Sequence, residues 1–221
     1  MKKTILLTTF FMGLGVSAHA TPLISQGGSQ TLTIESTSYT ITDRADSPAQ
    51  DTWQPSYGYT GSDYTGVYLG TIDGNDSTTD LENLIGYFLD NSSYVISEYA
   101  KMAYDDGTNN WSNDGGTDGL VSVTTTDDGL SGTWTATSPY VLDFYTVKSS
   151  TEFALYSVNP ALASGDWVTR HLLNNGGNIP AISHFSASLT PSAPVPEPST
   201  LLILGAGLCC IAGTRGLKKK K

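Results

Sequence analysis

From about residue 30 to residue 189 the chain is written in short runs in which apolar and polar residues alternate, with turn-forming residues between the runs. Leu32 and Ile34 alternate with threonines, and Tyr39 and Ile41 repeat the pattern. A period of two sends successive side chains to opposite faces of an extended strand, so each run offers one apolar face for burial. Residues 67–72 form another β-rich run. In 94–102, Tyr94, Ile96 and Glu98 share one face, and Val95, Ser97 and Tyr99 the other. Residues 120–126 and 133–137 are Val/Thr/Trp stretches. Residues 140–147 and 152–158 read as a hairpin around Lys148-Ser149-Ser150-Thr151, and 167–172 and 181–189 complete the set. Gly, Asn, Asp and Pro punctuate the gaps. Many short strands at this spacing predict an all-β fold: a single antiparallel β-sandwich or jelly-roll-like domain over residues 21–189. About 170 residues suffice for one domain with a core of its own.

One segment departs from that period. Leu81, Leu84, Ile85, Phe88 and Leu89 recur at helical spacing, and Thr79 with Glu82 makes a capping box ahead of them. One short helix is expected over about 80–89, covering an end or edge of the sandwich.

The two ends of the sequence are of a different kind. Lys2 and Lys3 precede an apolar stretch from Ile5 to Val16, and Ala18-His19-Ala20 puts small residues at the two positions a signal peptidase reads. Residues 1–20 are therefore expected to be a signal peptide, helical in the membrane and cut after Ala20. The apolar stretch is about 12 residues, where a permanent span needs roughly 20. At the other end, Val195-Pro196-Glu197-Pro198 leads into the apolar segment 199–214, and a basic tail at 215–221 carries Arg215, Lys218, Lys219, Lys220 and Lys221. The prolines favour extended backbone. The apolar segment reads as a transmembrane helix, and the tail is expected to stay cytoplasmic by the positive-inside rule. Sixteen residues make a helix of about 24 Å, against a hydrocarbon core of about 30 Å. Such a short span suits a temporary anchor. Residues 190–198 read as an extended Pro/Ser/Ala linker.

This three-part tail closely resembles the PEP-CTERM sorting signal of Gram-negative bacteria that make exopolysaccharide. The resemblance covers residues 195–221: the Pro196-Glu197-Pro198 motif, the Gly/Leu-rich helix and the basic end. It implies processing near the motif by an exosortase, a membrane cysteine protease, after a transient stay in the inner membrane. Signal peptidase would act at the other end, and the product would be a cell-surface or extracellular-matrix protein. A looser resemblance concerns the domain itself. Gly132-Thr133-Trp134, Phe144-Tyr145-Thr146-Val147-Lys148, Phe153-Ala154-Leu155-Tyr156, Ser164-Gly165-Asp166-Trp167 and Ile182-Ser183-His184-Phe185 resemble the ordered landmarks of an ectodomain type that carries this tag. That resemblance implies a β-sandwich and no known chemistry.

Charge narrows the partners. All 21 acidic residues lie between Thr21 and Thr200, where only Arg44, Lys101, Lys148 and Arg170 oppose them, so this stretch carries −17 against −10 for the whole chain. Nucleic acid and anionic lipid both call for a cationic surface, and are not expected partners. The two cysteines, Cys209 and Cys210, lie in the tail. The domain therefore has neither a disulfide framework nor a thiol nucleophile.

Candidate chemistry is sparse. Once the signal is gone only His171 and His184 remain, without HExxH spacing, and no nucleophile elbow, P-loop or dinucleotide fingerprint is present. No catalytic residue is assigned and no cofactor is expected, apart from calcium. For calcium the candidates are Asp73, Asn75 and Asp76, hard oxygen ligands in a flexible turn. That segment fails the EF-hand pattern, since Thr78 replaces the glycine and Leu84 stands where a bidentate Glu belongs. For sugars, Trp53 and Trp111 are placed in loops as aromatic platforms, with Tyr57-Gly58-Tyr59 nearby. Trp134 and Trp167 are assigned to the core. Threonine pairs such as Thr31/Thr33, Thr40/Thr42 and Thr133/Thr135 show no regular repeat and reflect strand composition rather than an ice-binding array. The resulting expectation is a non-enzymatic structural or adhesive protein associated with exopolysaccharide. A carbohydrate-binding module is the alternative, ahead of a glycoside-active enzyme.

Overall fold

The computed structural model describes residues 27–45, 50–54 and 58–192, with backbone only for Trp53, Gln54 and Asp127. The signal peptide with Ala18 and Ala20, the sorting motif Val195 to Pro198, the apolar segment and the basic tail lie outside the described residues.

The period-two runs become thirteen strands among the described residues: β1 (Ser29–Ile34), β2 (Thr37–Thr42), β3 (Thr52–Gln54), β4 (Gly58–Thr60), β5 (Val67–Asp73), β6 (Glu98–Asp105), β7 (Asn110–Gly116), β8 (Val121–Thr126), β9 (Ser131–Ala136), β10 (Tyr140–Ser149), β11 (Glu152–Leu162), β12 (Ser164–Val168) and β13 (His184–Pro191). One helix, α1 (Thr78–Phe88), interrupts them. All pairings are antiparallel. A large sheet runs β1-β2-β5-β11-β10-β13-β6-β7, with β4 joining it at β5 and β3 pairing β4, and a small sheet runs β12-β9-β8.

The small sheet packs on one face of the large one. Val123, Trp134 and Trp167 from the former share a buried cluster with Tyr145, Tyr156 and Phe185 from the latter. Tyr145 and Tyr156 face each other across β10 and β11 and stack at 4.6 Å between ring centroids, with Phe185 at 5.4 Å from Tyr145. Such offset stacks add about 0.5–1.5 kcal/mol to the stabilisation from area burial alone. The Gly132 and Gly165 landmarks find their reason here. Register sets Gly132 opposite Trp167 and Gly165 opposite Trp134. A Cβ on Gly165 would meet the Trp134 indole at 2.6 Å, and one on Gly132 would meet that of Trp167 at 2.7 Å. Each indole lies against a neighbour's bare backbone, and both rings are fully buried.

Helix α1 covers the opposite face. Leu81, Leu84 and Ile85 pack on Tyr39, Ile41, Leu69, Ile72, Phe144 and Leu155. Its cap differs from the expected one. Ser77 is the N-cap, accepting from the Asp80 amide at 3.2 Å. Glu82 instead reaches away to accept from the Ile96 amide at 3.1 Å. The box is thus Ser77 with Asp80, two residues earlier than Thr79 with Glu82, because Ser77 is the last extended residue before the helix.

Other boundaries also move. Residues 94–97 form no strand, and β6 starts at Glu98. The polar segment Asn110–Gly116 is a strand despite its composition, because it pairs along β6. The linker expected from residue 190 begins later: Thr190 and Pro191 still pair with Val141 and Tyr140, so β13 has no turn after Phe185-Ser186-Ala187. Among the described residues no helix is long and apolar enough to cross a membrane.

Candidate functional site

Two groups of titratable side chains lie within the described fold, one on each face of the large sheet. Under the N-terminus of α1, Asp76 is completely buried. Lys101 Nζ donates to its Oδ1 at 2.9 Å, while Thr146 Oγ1 and Ser186 Oγ donate to its Oδ2 at 3.1 and 2.6 Å. The Tyr99 hydroxyl donates to the Asp76 carbonyl at 3.1 Å, and burial pushes this phenol up to about 12. Sequence period explains the assembly: Thr146, Ser186 and Lys101 lie in register on β10, β13 and β6, so their side chains share a face. Lys148 fills the next position, donating to the Gly74 and Ser150 carbonyls at 3.0 and 3.1 Å. Burial holds its pKa below the usual lysine range. At the rim, His184 lies 3.4 Å from Asp114, and burial together with the Lys101 ammonium lowers its pKa.

On the other face, Asp51 is buried beside His171 and Arg170. His171 Nε2 is 3.1 Å from Asp51 Oδ2, and its Nδ1 is 2.7 Å from the Tyr156 hydroxyl. The imidazole stacks on Tyr68 at 4.1 Å. Arg170 pairs with Asp51 and, at 2.6 Å, with Asp63. Burial alone would raise the Asp51 pKa, but the His171 hydrogen bond and the neighbouring charges outweigh it and hold the carboxyl below its usual range. Asp51, His171 and Tyr156 are linked like a catalytic relay. Yet His171 is fully buried, closed over by the Tyr68 and Tyr64 rings. Both groups tie distant segments of the chain together.

The calcium candidates do not converge. Asp73 and Asn75 are exposed, whereas Asp76 points inward. Both Asp76 oxygens are already held by protein donors, one of them a cation that opposes a second positive charge. Among the described residues no three His, Cys, Asp or Glu side chains come together in metal-binding fashion. Between β6 and β7 Asp105 serves the turn, accepting from Gly107 N and Thr108 Oγ1 at 3.0 and 2.9 Å.

The platform tryptophans are not in loops. Trp53 lies in β3, its backbone opposite Tyr59. Its indole is outside the description, as is Tyr57. Trp111 lies in β7, half-buried, with its ring 5.1 Å from Tyr104 and 6.2 Å from Trp167. It packs against the aromatic core, because alternate residues of β7 face the small sheet despite the polar composition of the strand. Trp134 and Trp167 are in the core, as their strand positions predict.

What the fold does expose is hydroxyl. On the outward face of the small sheet, register aligns Ser122, Thr135 and Ser164 in one row, and Thr124, Thr133 and Asp166 in the next. Thr126 and Ser131 follow. Thr124 and Thr133 are 2.7 Å apart at Oγ1, and Thr126 and Ser131 are also at 2.7 Å. A second ladder lies on β1 and β2, where Ser29, Thr31 and Thr33 face Thr42, Thr40 and Ser38. These rows repeat about every 4.8 Å across strands and 6.8 Å along them. Each hydroxyl donates and accepts, a surface suited to neutral polyhydroxylated partners. The threonine pairs were visible in the sequence. That they face serines and threonines of another strand depended on pairing, which has no local signal.

Comparison with known proteins identifies the end of the chain. The PEP-CTERM protein-sorting motif matches residues 194–220. The chain thus carries a PEP-CTERM sorting signal, which implies export and transient processing at the membrane by an exosortase in Gram-negative bacteria. No curated protein and no solved structure matches it.

Proposed function

We propose that the protein is a non-enzymatic structural or adhesive component of the cell surface or extracellular matrix, held there by contact with exopolysaccharide. The observation that carries the reading is the sorting motif at 194–220 joined to an acidic β-domain. The arrangement of polar groups supports it. The buried carboxylates of Asp76 and Asp51 are held by protein partners, whereas the hydroxyl rows of the small sheet lie exposed on its outer face. Neutral hydroxyls match the hydrogen-bonding groups of glycans, and Asp166 at the end of one row disfavours acidic polymers. Weak contacts at many such copies along one polymer would sum by avidity.

The deciding experiment is a pull-down of the processed protein with the producing organism's own exopolysaccharide. Retention is expected, and Thr124→Val with Thr133→Val should reduce it while leaving the melting temperature close to that of the parent. Absence of retention, or release of sugar fragments by the protein, would overturn the proposal. A carbohydrate-binding module working through aromatic platforms now depends on Trp53, since Trp111 is engaged in the core. Binding abolished by Trp53→Ala and unaffected by the threonine variants would favour that reading.

A further inference from the structure

The main path of the large sheet ends in two edge strands of unlike character, apart from the three-residue β3 that edges the β4 branch. At one end, β7 is broken as a template for further pairing. Its ladder with β6 shifts register between Lys101 and Met102, Gly116 has φ +72°, and Asp114 stands half-exposed on the strand. These are devices that protect an edge. The small sheet's edges are also occupied or charged. Thr65 caps β12 through hydrogen bonds of 2.9 Å to and from Asp166, and the Asp127-Asp128 pair follows β8.

Strand β1 has none of this protection. Its six residues, Ser-Gln-Thr-Leu-Thr-Ile, hold no charge, no proline and no bulge. Its ladder with β2 is unbroken from Ser29↔Thr42 to Ile34↔Thr37, and among the described residues β2 is the only strand paired with it. The Asp43 amide donates to the Gly28 carbonyl at 2.9 Å, which sets the parity of the ladder. Gln30, Leu32 and Ile34 turn their backbone groups toward β2, and Ser29, Thr31 and Thr33 turn theirs outward. Six main-chain groups, three N–H and three C=O, therefore line the edge that no described strand covers.

That edge is complementary to itself. We propose that β1 pairs antiparallel with β1 of a second copy of this chain, with the two-fold axis at Thr31. Ser29 of one copy then exchanges both backbone hydrogen bonds with Thr33 of the other, and Thr31 does so with Thr31. Gln30 lies opposite Leu32. The apolar layer under α1, to which Leu32 and Ile34 contribute, continues across the joint. On the opposite face the hydroxyl ladder extends over four strands. Charge selects a copy approaching by this route. The exported stretch carries −17, so most faces of two copies repel one another, but the β1 edge brings no like charges together. Glu35, in the turn after β1, falls opposite residue 27 of the partner copy, a glycine. Because β7 is protected, pairing closes at a dimer instead of propagating into a fibre.

This inference rests on edge geometry and is independent of the polysaccharide reading. Its test contains no glycan. The full exported chain in detergent is used with Cys209→Ser and Cys210→Ser, so that introduced thiols stand alone. Paired residues of a hydrogen-bonded antiparallel site lie about 5.5 Å apart at Cα, within the roughly 4.4–6.8 Å that a disulfide spans. Thr31→Cys is expected to give covalent dimer on mild oxidation. Ser29→Cys alone and Thr33→Cys alone are expected to stay monomeric, because like positions are offset by roughly 13 Å along the strand. Mixing the Ser29→Cys and Thr33→Cys chains should restore the dimer. Thr31→Glu, which sets two carboxylates face to face at the axis, should shift the native protein toward monomer in sedimentation. No dimer from Thr31→Cys, equal dimer from all three positions, or sedimentation unchanged by Thr31→Glu would each overturn the proposal.

Discussion

The two faces of the large sheet solve the same problem by different chemistry. Under the small sheet, the centre is aromatic, with Tyr145, Tyr156 and Phe185 stacked and two indoles seated on glycines. Its buried acid, Asp51, sits to one side with Arg170 and His171. Under α1, a carboxylate sits within the layer itself: Asp76 holds Lys101 on β6, Thr146 on β10 and Ser186 on β13, so three strands are tied to the entry of the helix. Shape complementarity orders the first face. Directional hydrogen bonds order the second, where a lone eleven-residue helix buries few side chains. A helix supported by so little apolar contact gains its register from polar anchoring, whereas a sheet packed on a sheet gains it from interlocking side chains.

The largest effect is expected on the aromatic face. Trp134→Ala should lower unfolding free energy by about 3–5 kcal/mol, because a fully buried indole leaves a cavity that neighbouring strands cannot collapse into. Urea denaturation measures it. Next comes the carboxylate. Asp76→Leu alone should cost on the order of 3 kcal/mol, since it strands Lys101 and two hydroxyls, while adding Lys101→Met should recover much of that loss. A double-mutant cycle that showed simple additivity would mean that Asp76 and Lys101 act independently, and the contrast between the faces would fail.

Gly165→Ala probes the aromatic face from the side of the backbone. The added methyl meets the Trp134 ring and Thr65, and an overpacking cost of about 1–3 kcal/mol is expected in the same assay. Ser77→Ala removes the cap of α1 and should cost about 1 kcal/mol. This loss should appear first as faster amide exchange in the first turn of the helix, with the aromatic face unaffected.

Acid should loosen the two faces in sequence. His184, at the rim of the polar face, has a lowered pKa in the folded protein, so the fold favours its neutral ring. Its contribution is whole above the unfolded value of about 6.5 and is lost as pH falls below it. Asp51 also has a lowered folded pKa. Its contribution is present above the unfolded value of about 3.9 and fades only as pH falls through the folded one. The melting temperature should thus decline in two steps between neutral and strongly acid pH. His184→Gln should remove the first step, the smallest of these effects, and leave the second.

Much of this was legible beforehand, for physical reasons that differ by element. Strands β5, β10 and β11, buried on both faces, announced themselves as short β-rich runs bounded by turn residues. Strand β2 announced itself because one face is buried, which writes a period of two into the sequence. The helix was visible for the same reason at a different period. β7 was not, because Asn113, Asp114, Gly115 and Gly116 carry no strand propensity; its pairing with β6 overrides local preference. Trp111 was assigned to a loop for that reason. The Ser77 cap was displaced by two residues because Thr79 and Glu82 satisfy the same local pattern, and only the packing of α1 chooses between them.

What the sequence by itself determined is the all-β class, the one α-helix among the described residues and the tail whose sorting motif matches at 194–220. Each of these is a local pattern: a period, or a short motif followed by an apolar run and a basic end. Tertiary structure alone decided that Asp76 turns inward onto a lysine instead of outward to a cation, that His171 is sealed beneath tyrosines, and that exposed threonines on different strands align into rows. It also decided that, among the described residues, β1 is paired on one side alone. These are matters of which strand lies beside which, over separations of up to 120 residues for Asp51 and His171. Strand pairing is set by the closing of the whole core, not by any stretch of chain that contains the residues it brings together.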